Sequence, residues 1–393
     1  MLDIDSLRAD TPGCEHVIHL NNAGAGLMPA PVVSAIQDHI DLEARIGGYE
    51  AAAERQDAVE AARAAVARLI GAEPRNIAFM ENATVAFHAA VSSFAFERGD
   101  LILTSRNDYI SNQITYMALQ QRLGVELVYA PDLAEGGVDP LAAEEIVHRQ
   151  RPRMVAMTHV PTNSGLVQQL SHIGKACRAR DIPFLVDACQ SVGQLPVDVG
   201  NLQCDFMSAT ARKFLRGPRG SGFLYISDAA LDRGVEPLFV DMQGAHWVAP
   251  ALYQPVPDAR RFENWEFAYA LVLGLGAAAE YVLNVGLDQI EPRVKELAAL
   301  CRRLLARVGG VSVLDIGPEL CGIVTAALDG VDPGDAVREL RAQGVNTASS
   351  AWEYAVLDFT DKGVDGALRI SPSYYNTEQE IEAAVAAIEE IVQ

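Results

Sequence analysis

The chain has 393 residues, half of them hydrophobic, with 31 basic against 52 acidic side chains and a net charge of −21. That length suits two domains, and the hydrophobic share supports a large core. The acidic balance argues against nucleic acid and anionic membrane as partners, and it means that any anionic cofactor must be met by a local cluster of donors.

The six cysteines (14, 177, 189, 204, 301 and 321) are scattered without CxxC spacing, so neither a zinc site nor a disulfide framework is expected. No apolar run is long enough to span a bilayer, and the start, Met1-Leu2-Asp3-Ile4-Asp5, is acidic, unlike a signal peptide. A cytoplasmic location is expected, with no metal bound.

Residues 1–15 read as an N-terminal arm. The stretch Asn21-Asn22-Ala23-Gly24-Ala25-Gly26 marks a turn where backbone approaches a ligand or partner. A helical pattern runs from about Pro31 to Ile46 and breaks at Gly47-Gly48-Tyr49, a hinge between two helices. A second helix follows to Ile70. The strand Ile77–Met80 then runs through a small polar turn into a helix from about Val85. Such a turn offers free N–H groups and a positive dipole end, which suits a phosphate, although Thr84 also reads as a plain N-cap. Leu101–Thr104 is a strand, and Asp108-Tyr109-Ile110-Ser111-Asn112 opens the next helix. Met154–Thr158 is an apolar strand ending in His159-Val160-Pro161-Thr162-Asn163, with His159 a structural residue at the strand end.

Pro183–Asp187 is a continuous apolar run, the pattern of a parallel strand buried on both faces. Asp187 at its C-terminal end points into the crevice where open α/β sheets bind ligands, or else caps the next helix. Phe206–Thr210 and Gly222–Ile226 are strands flanking Lys213. Burying an ammonium lowers its pKa and makes the amine a nucleophile toward carbonyls, whereas a surface loop lysine would do nothing of the kind. The upstream carboxylate decides between these readings: pyridoxal phosphate needs a carboxylate against its pyridine nitrogen as well as a Schiff-base lysine. Residues 227–260 read as loop-rich. A long helix runs to about Leu283, and the remainder alternates helix and strand. Arg369 is the only charge in its apolar strand and therefore needs a carboxylate partner.

With Asp187-x-x-Gln190 and Lys213 in place, the chain resembles the class V aminotransferase group of fold-type I pyridoxal-phosphate enzymes. The likeness runs from Leu20 to the last helix and is nearest the isopenicillin N epimerase-like and ergothioneine C–S lyase-like members. It implies an α/β fold: a large domain (16–258) with a mainly parallel sheet flanked by helices, and a smaller α+β C-terminal domain (259–393). It also implies pyridoxal 5′-phosphate as cofactor and a homodimer.

Residue by residue, the resemblance assigns the cofactor phosphate to Ala83, Thr84, Thr210 and Arg212, ring stacking to Tyr109, and the pyridine nitrogen to Asp187. The ring oxygen falls to Gln190, with Thr162 or the adjacent Asn163 beside it. Lys213 is the catalytic lysine. Arg369 takes the substrate α-carboxylate, and Asn22, Tyr49 and Trp265 are further substrate-side candidates. Glu266 stands where relatives carry a threonine that reaches the partner's phosphate. Desulfurases carry a nucleophilic cysteine on the loop before the arginine, and residues 344–366 contain none. The leading expectation is an aminotransferase-type enzyme acting on an L-amino acid, with a C–S β-lyase of a cysteine conjugate as the alternative and epimerisation a further outcome. A non-catalytic binding member fits poorly with intact Lys213, Asp187 and Arg369.

Overall fold

The computed structural model describes residues 2–393. Its centre is a seven-stranded sheet in the order Ile77–Met80, Gly222–Ile226, Phe206–Thr210, Phe184–Asp187, Met154–Thr158, Leu101–Thr104, Glu126–Tyr129. Five of these strands are parallel neighbours, and Gly222–Ile226 runs antiparallel to both of its neighbours. The expected α/β architecture with a mainly parallel sheet is therefore present.

The apolar runs form strands because both faces of the sheet are covered. Phe79, Leu103, Val155, Phe184, Val186, Met207 and Phe223 enter one core. The intervening Ala78, Ile102, Ala156, Leu185, Phe206 and Leu224 enter the other. Alternate side chains point to opposite faces of a strand, so a continuous apolar run satisfies both layers. Helices Gln56–Leu69, Ser171–Arg180 and Tyr269–Val285 close the first face, and Ala83–Ser92 and Ile110–Leu123 the second.

A second, antiparallel sheet has the order Val311–Val313, Val324–Leu328, Gly366–Ile370, Ala348–Ala351. It packs with helices Leu287–Leu305, Pro333–Ala342 and Glu378–Val392 around its own core. The changeover between cores falls later than residue 258. Ala259 and Phe262 pack with the first sheet, and in helix Leu287–Leu305 Ile290 and Val294 still belong to the first core while Leu297, Cys301 and Leu305 belong to the second.

The N-terminal segment crosses between these layers. Ile18–His19 pairs in parallel with Val345–Asn346, and Asn21 bridges to Ser371. Gly47 turns the chain at φ 101°, and a separate short helix, Gly48–Glu54, follows it. Residues 227–260 are more ordered than expected. They contain a short helix, Asp228–Asp232, and a hairpin of Ala245–Ala249 with Leu252–Pro255.

Candidate active site

Strands Met154–Thr158, Phe184–Asp187 and Phe206–Thr210 all end at the same edge of the sheet, beside the point where strand order reverses. Ligands of open α/β sheets bind at such an edge. A cavity of about 150 Å³ lies there, lined among others by Ala83, Thr84, Tyr109, Asp187, Lys213 and Arg212. Thr162, Gln190 and Thr210 also line it.

One wall is a donor cluster. Asn82 caps helix Ala83–Ser92 by accepting from the Val85 N–H at 3.0 Å, which leaves the first-turn N–H groups of Ala83 and Thr84 at the cavity. This turn lies tight against the neighbouring strand, since a Cβ on Gly222 would stand 2.5 Å from the Ala209 carbonyl oxygen and 3.4 Å from the Ala83 nitrogen. Arg212 adds a permanent charge to this wall, and its guanidinium donates to the Gly24 carbonyl.

Lys213 is only 6% exposed and has no ion pair among the described residues. Burial, chiefly, draws its ammonium pKa down. Arg212 and Arg369 push in the same direction, against the opposing pull of Cys189 and Asp187. Its Nζ stands 5.8 Å from the Tyr109 ring centroid. Asp187, also on the cavity, is buried. Its Oδ1 accepts from the Cys189 N–H at 2.9 Å and its Oδ2 from Asn112 Nδ2 at 3.1 Å.

Arg369, from the second sheet, meets the cavity wall through Thr162. Its Nη1 donates to the Thr162 carbonyl at 3.0 Å and to the Thr162 hydroxyl at 2.7 Å, and its Nη2 to Asn21 Oδ1 at 3.4 Å. No carboxylate pairs with it among the described residues, and Nε is buried without a partner. Burial, with the nearby charge of Arg212, lowers its pKa to about 10. Thr162 also accepts from Gln190 Nε2 at 2.8 Å, and Gln190 Oε1 is buried with no partner. Buried polar atoms left open around one cavity mark where a polar ligand would bond.

Several sequence candidates lie elsewhere. Asn22 is fully buried but turns from the cavity. It donates to the Ser371 carbonyl at 2.8 Å and accepts from the Tyr375 hydroxyl at 2.7 Å, while its neighbour Asn21 meets Arg369. Asn163 also turns away, donating to Asp358 at 2.8 Å, so Thr162 is the residue of that pair on the cavity. Tyr49 and Trp265 are exposed and line a separate groove with Ile40, Phe267 and Leu271. Glu266 lies in that groove too. His159 does not line the cavity, and burial lowers its pKa to about 4.

Sequence reasoning passed over Asn112, Thr158 and Cys189 as cavity residues, and Asp108 behind them. The available signal was position. Thr158 and Cys189 sit at or just after the carboxyl ends of adjacent strands, and Asp108 and Asn112 are polar residues four apart at a helix start.

The model for "Aminotransferase class-V" matches residues 18–384. Over 99% of this chain and 98% of its own length, a probable cysteine desulfurase of Pyrococcus abyssi is 26% identical. A probable hercynylcysteine sulfoxide lyase of Mycobacterium tuberculosis is 29% identical over 94% of this chain and 89% of its own. The solved apo structure of the cysteine desulfurase from Thermococcus onnurineus superimposes with a TM-score of 0.91 at 27% identity, covering 100% of this chain and 98% of that one. The chain belongs to the class V aminotransferase family and is a pyridoxal-phosphate-dependent enzyme. The residues present fit that cofactor: an anion-binding wall at Ala83, Thr84 and Arg212, an ionisable amine at Lys213 and a buried carboxylate at Asp187.

Proposed function

We propose that this class V family member cleaves the C–S bond of an S-substituted L-cysteine by β-elimination. The observation that carries the amino-acid part is Arg369, a buried guanidinium with no acidic partner, bonded to Thr162 on the wall of the Lys213 cavity. A buried arginine without a counter-ion is costly, and a substrate carboxylate supplies that counter-ion. The lyase part is supported by relatives that carry the names cysteine desulfurase and sulfoxide lyase. It replaces the aminotransferase reading that leads from sequence alone.

Bound pyridoxal phosphate supplies an electron sink for a carbanion at the substrate α-carbon. Arg369 holds the α-carboxylate and orients the α-hydrogen. Lys213, with its lowered pKa, takes that proton as base. Asp187 holds a proton at the ring nitrogen. The sulfur group leaves with the electron pair of the C–S bond, and the three-carbon remainder hydrolyses to pyruvate and ammonia.

A desulfurase would instead pass sulfur to a thiol of its own. Residues 344–366 contain no cysteine. Cys189 lines the cavity, but burial and then Asp187 push its thiol pKa far up, which disfavours the thiolate a sulfur acceptor needs. The released sulfur therefore leaves as a small molecule.

Homodimerisation is part of this proposal. Phe239, Trp247 and Tyr49 are 86%, 81% and 75% exposed, aromatic surface that a second copy of the chain would cover. Light scattering coupled to size exclusion tests it, and a monomer at working concentration would rule it out.

The test of the reaction is a single turnover of cofactor-loaded protein with a panel of amino acids and S-substituted cysteines. Pyruvate, ammonia and a sulfur fragment, with the cofactor recovered as aldehyde, are expected. A 2-oxo acid with the cofactor recovered as pyridoxamine phosphate would restore the transaminase reading.

A further inference from the structure

Behind Asp187 lies a second carboxylate that the chemistry above does not use. Asp108 is 4% exposed and has no ion pair among the described residues. Its Oδ1 accepts from the Tyr109 N–H at 2.7 Å, from Asn112 Nδ2 at 3.1 Å and from the Thr158 hydroxyl. Its Oδ2 accepts from the Thr104 hydroxyl at 3.2 Å and from Gln113 Nε2 at 3.5 Å. Burial raises its pKa to about 6, against the pull of the Thr158 and Asn112 hydrogen bonds.

Asn112 connects the two acids. Its Nδ2 stands 3.1 Å from Asp108 Oδ1 and 3.1 Å from Asp187 Oδ2. An amide nitrogen carries two hydrogens, and here each carboxylate receives one. Which way an asparagine amide points is set by its partners. With a carboxylate oxygen accepting on each side, the NH₂ end is the one that fits both contacts.

We propose that Asp108 is a positioning residue for the cofactor site, acting through Asn112 to lock the Asp187 carboxylate. The proposal rests on the pyridoxal-phosphate reading of the cavity. Asn112 holds Oδ2 and the Cys189 N–H holds Oδ1, which restrains rotation of the Asp187 carboxylate and leaves its remaining lone pairs to meet the ring nitrogen of a bound cofactor. The same Asp108 carboxylate accepts the Tyr109 N–H, so one group sets the start of the helix that carries both Tyr109 and Asn112. Without an acid at 108, the Asn112 amide is free to flip and present its oxygen to Asp187, where like polarity repels.

The test compares the parent with Asp108→Asn and Asn112→Ala, each also placed in an Asp187→Asn background. Two quantities are read: the dissociation constant of pyridoxal phosphate from each protein, and the nitrogen-15 signal of ring-labelled cofactor, which reports protonation of the pyridine nitrogen. Loss of a hydrogen bond to a charged group weakens binding about tenfold or more. Asp108→Asn and Asn112→Ala should raise the dissociation constant by that factor and move the signal toward the unprotonated position. Neither should add to the loss in the Asp187→Asn background, because coupled groups are not additive. Parent-like affinity and signal in both variants would overturn the proposal, as would an equal loss persisting in the Asp187→Asn background. If Asp108→Asn does not fold, Asn112→Ala decides alone. A parent protein that binds no pyridoxal phosphate would instead overturn the reading of the cavity itself.

Discussion

Arg369 Nη1 donates to both the carbonyl and the hydroxyl of Thr162, at 3.0 and 2.7 Å, so a strand of the four-stranded sheet is tied to the turn that ends a strand of the seven-stranded one. The guanidinium is held in place while its Nε has no partner. Nη1 is held by Thr162 and Nη2 by Asn21, which leaves Nε as the open donor of the guanidinium.

Arg369→Lys should therefore lose substrate grip even though it keeps the charge, because lysine lacks the planar fork that matches a carboxylate. Losing one partner of a buried charged pair costs about 2–4 kcal/mol, roughly 30- to 700-fold in affinity. Steady-state kinetics with the best substrate of the panel should show the increase in KM. An unchanged KM would place the substrate carboxylate elsewhere.

Lys213→Ala should abolish turnover and also abolish reductive trapping. Borohydride treatment of the cofactor-loaded parent should fix the cofactor to the peptide containing residue 213, as read by mass spectrometry. Trapping at another lysine, or turnover in the variant, would remove Lys213 from its role.

Gly26→Ala should disturb the lysine turn without touching a reacting group. A Cβ at residue 26 would stand 2.7 Å from the Lys213 carbonyl oxygen, and the Gly26 N–H already donates to the Arg212 carbonyl at 2.7 Å. Forcing that contact costs about 1–3 kcal/mol. A lowered melting temperature and weaker cofactor retention are expected, and parent-like values would show that the turn yields freely.

Two buried groups should give opposite pH signatures. His159 has its pKa lowered from 6.5 to about 4. As pH falls through that window the unfolded chain gains a proton that the folded chain refuses, and stability is lost. Asp108 has its pKa raised from 3.8 to about 6. As pH rises through that window the unfolded chain releases a proton that the folded chain keeps, and stability is again lost. Relative to the parent, His159→Gln should gain melting temperature toward pH 4, and Asp108→Asn should gain it toward pH 6. Melting curves of the apo proteins between pH 4 and 6.5 check both signs, and parallel profiles for all three proteins would refute the assignments.

The sequence by itself determined six strands of the seven-stranded sheet, all but the edge strand Glu126–Tyr129, and the charged groups that sit at their ends. Runs such as Pro183–Asp187 are apolar on both faces, which a covered parallel strand tolerates, and so Asp187 and Lys213 were legible with their setting, while Gln190 and Thr210 came through the family resemblance. What the tertiary structure alone decided is which residues from distant segments share a wall. The choice between Thr162 and Asn163, and the contact of Asn21 with Arg369 where Asn22 was the candidate, turn on which neighbour faces Arg369, and alternation along a turn does not follow strand or helix period. Tyr49 and Trp265 keep the aromatic character that made them candidates, yet the chain places them in a groove away from Lys213. The pairing of Asp108 with Asp187 through Asn112 was hidden for the same reason: a buried polar network is fixed by three-dimensional approach of groups up to 75 positions apart, and no local spacing encodes that distance.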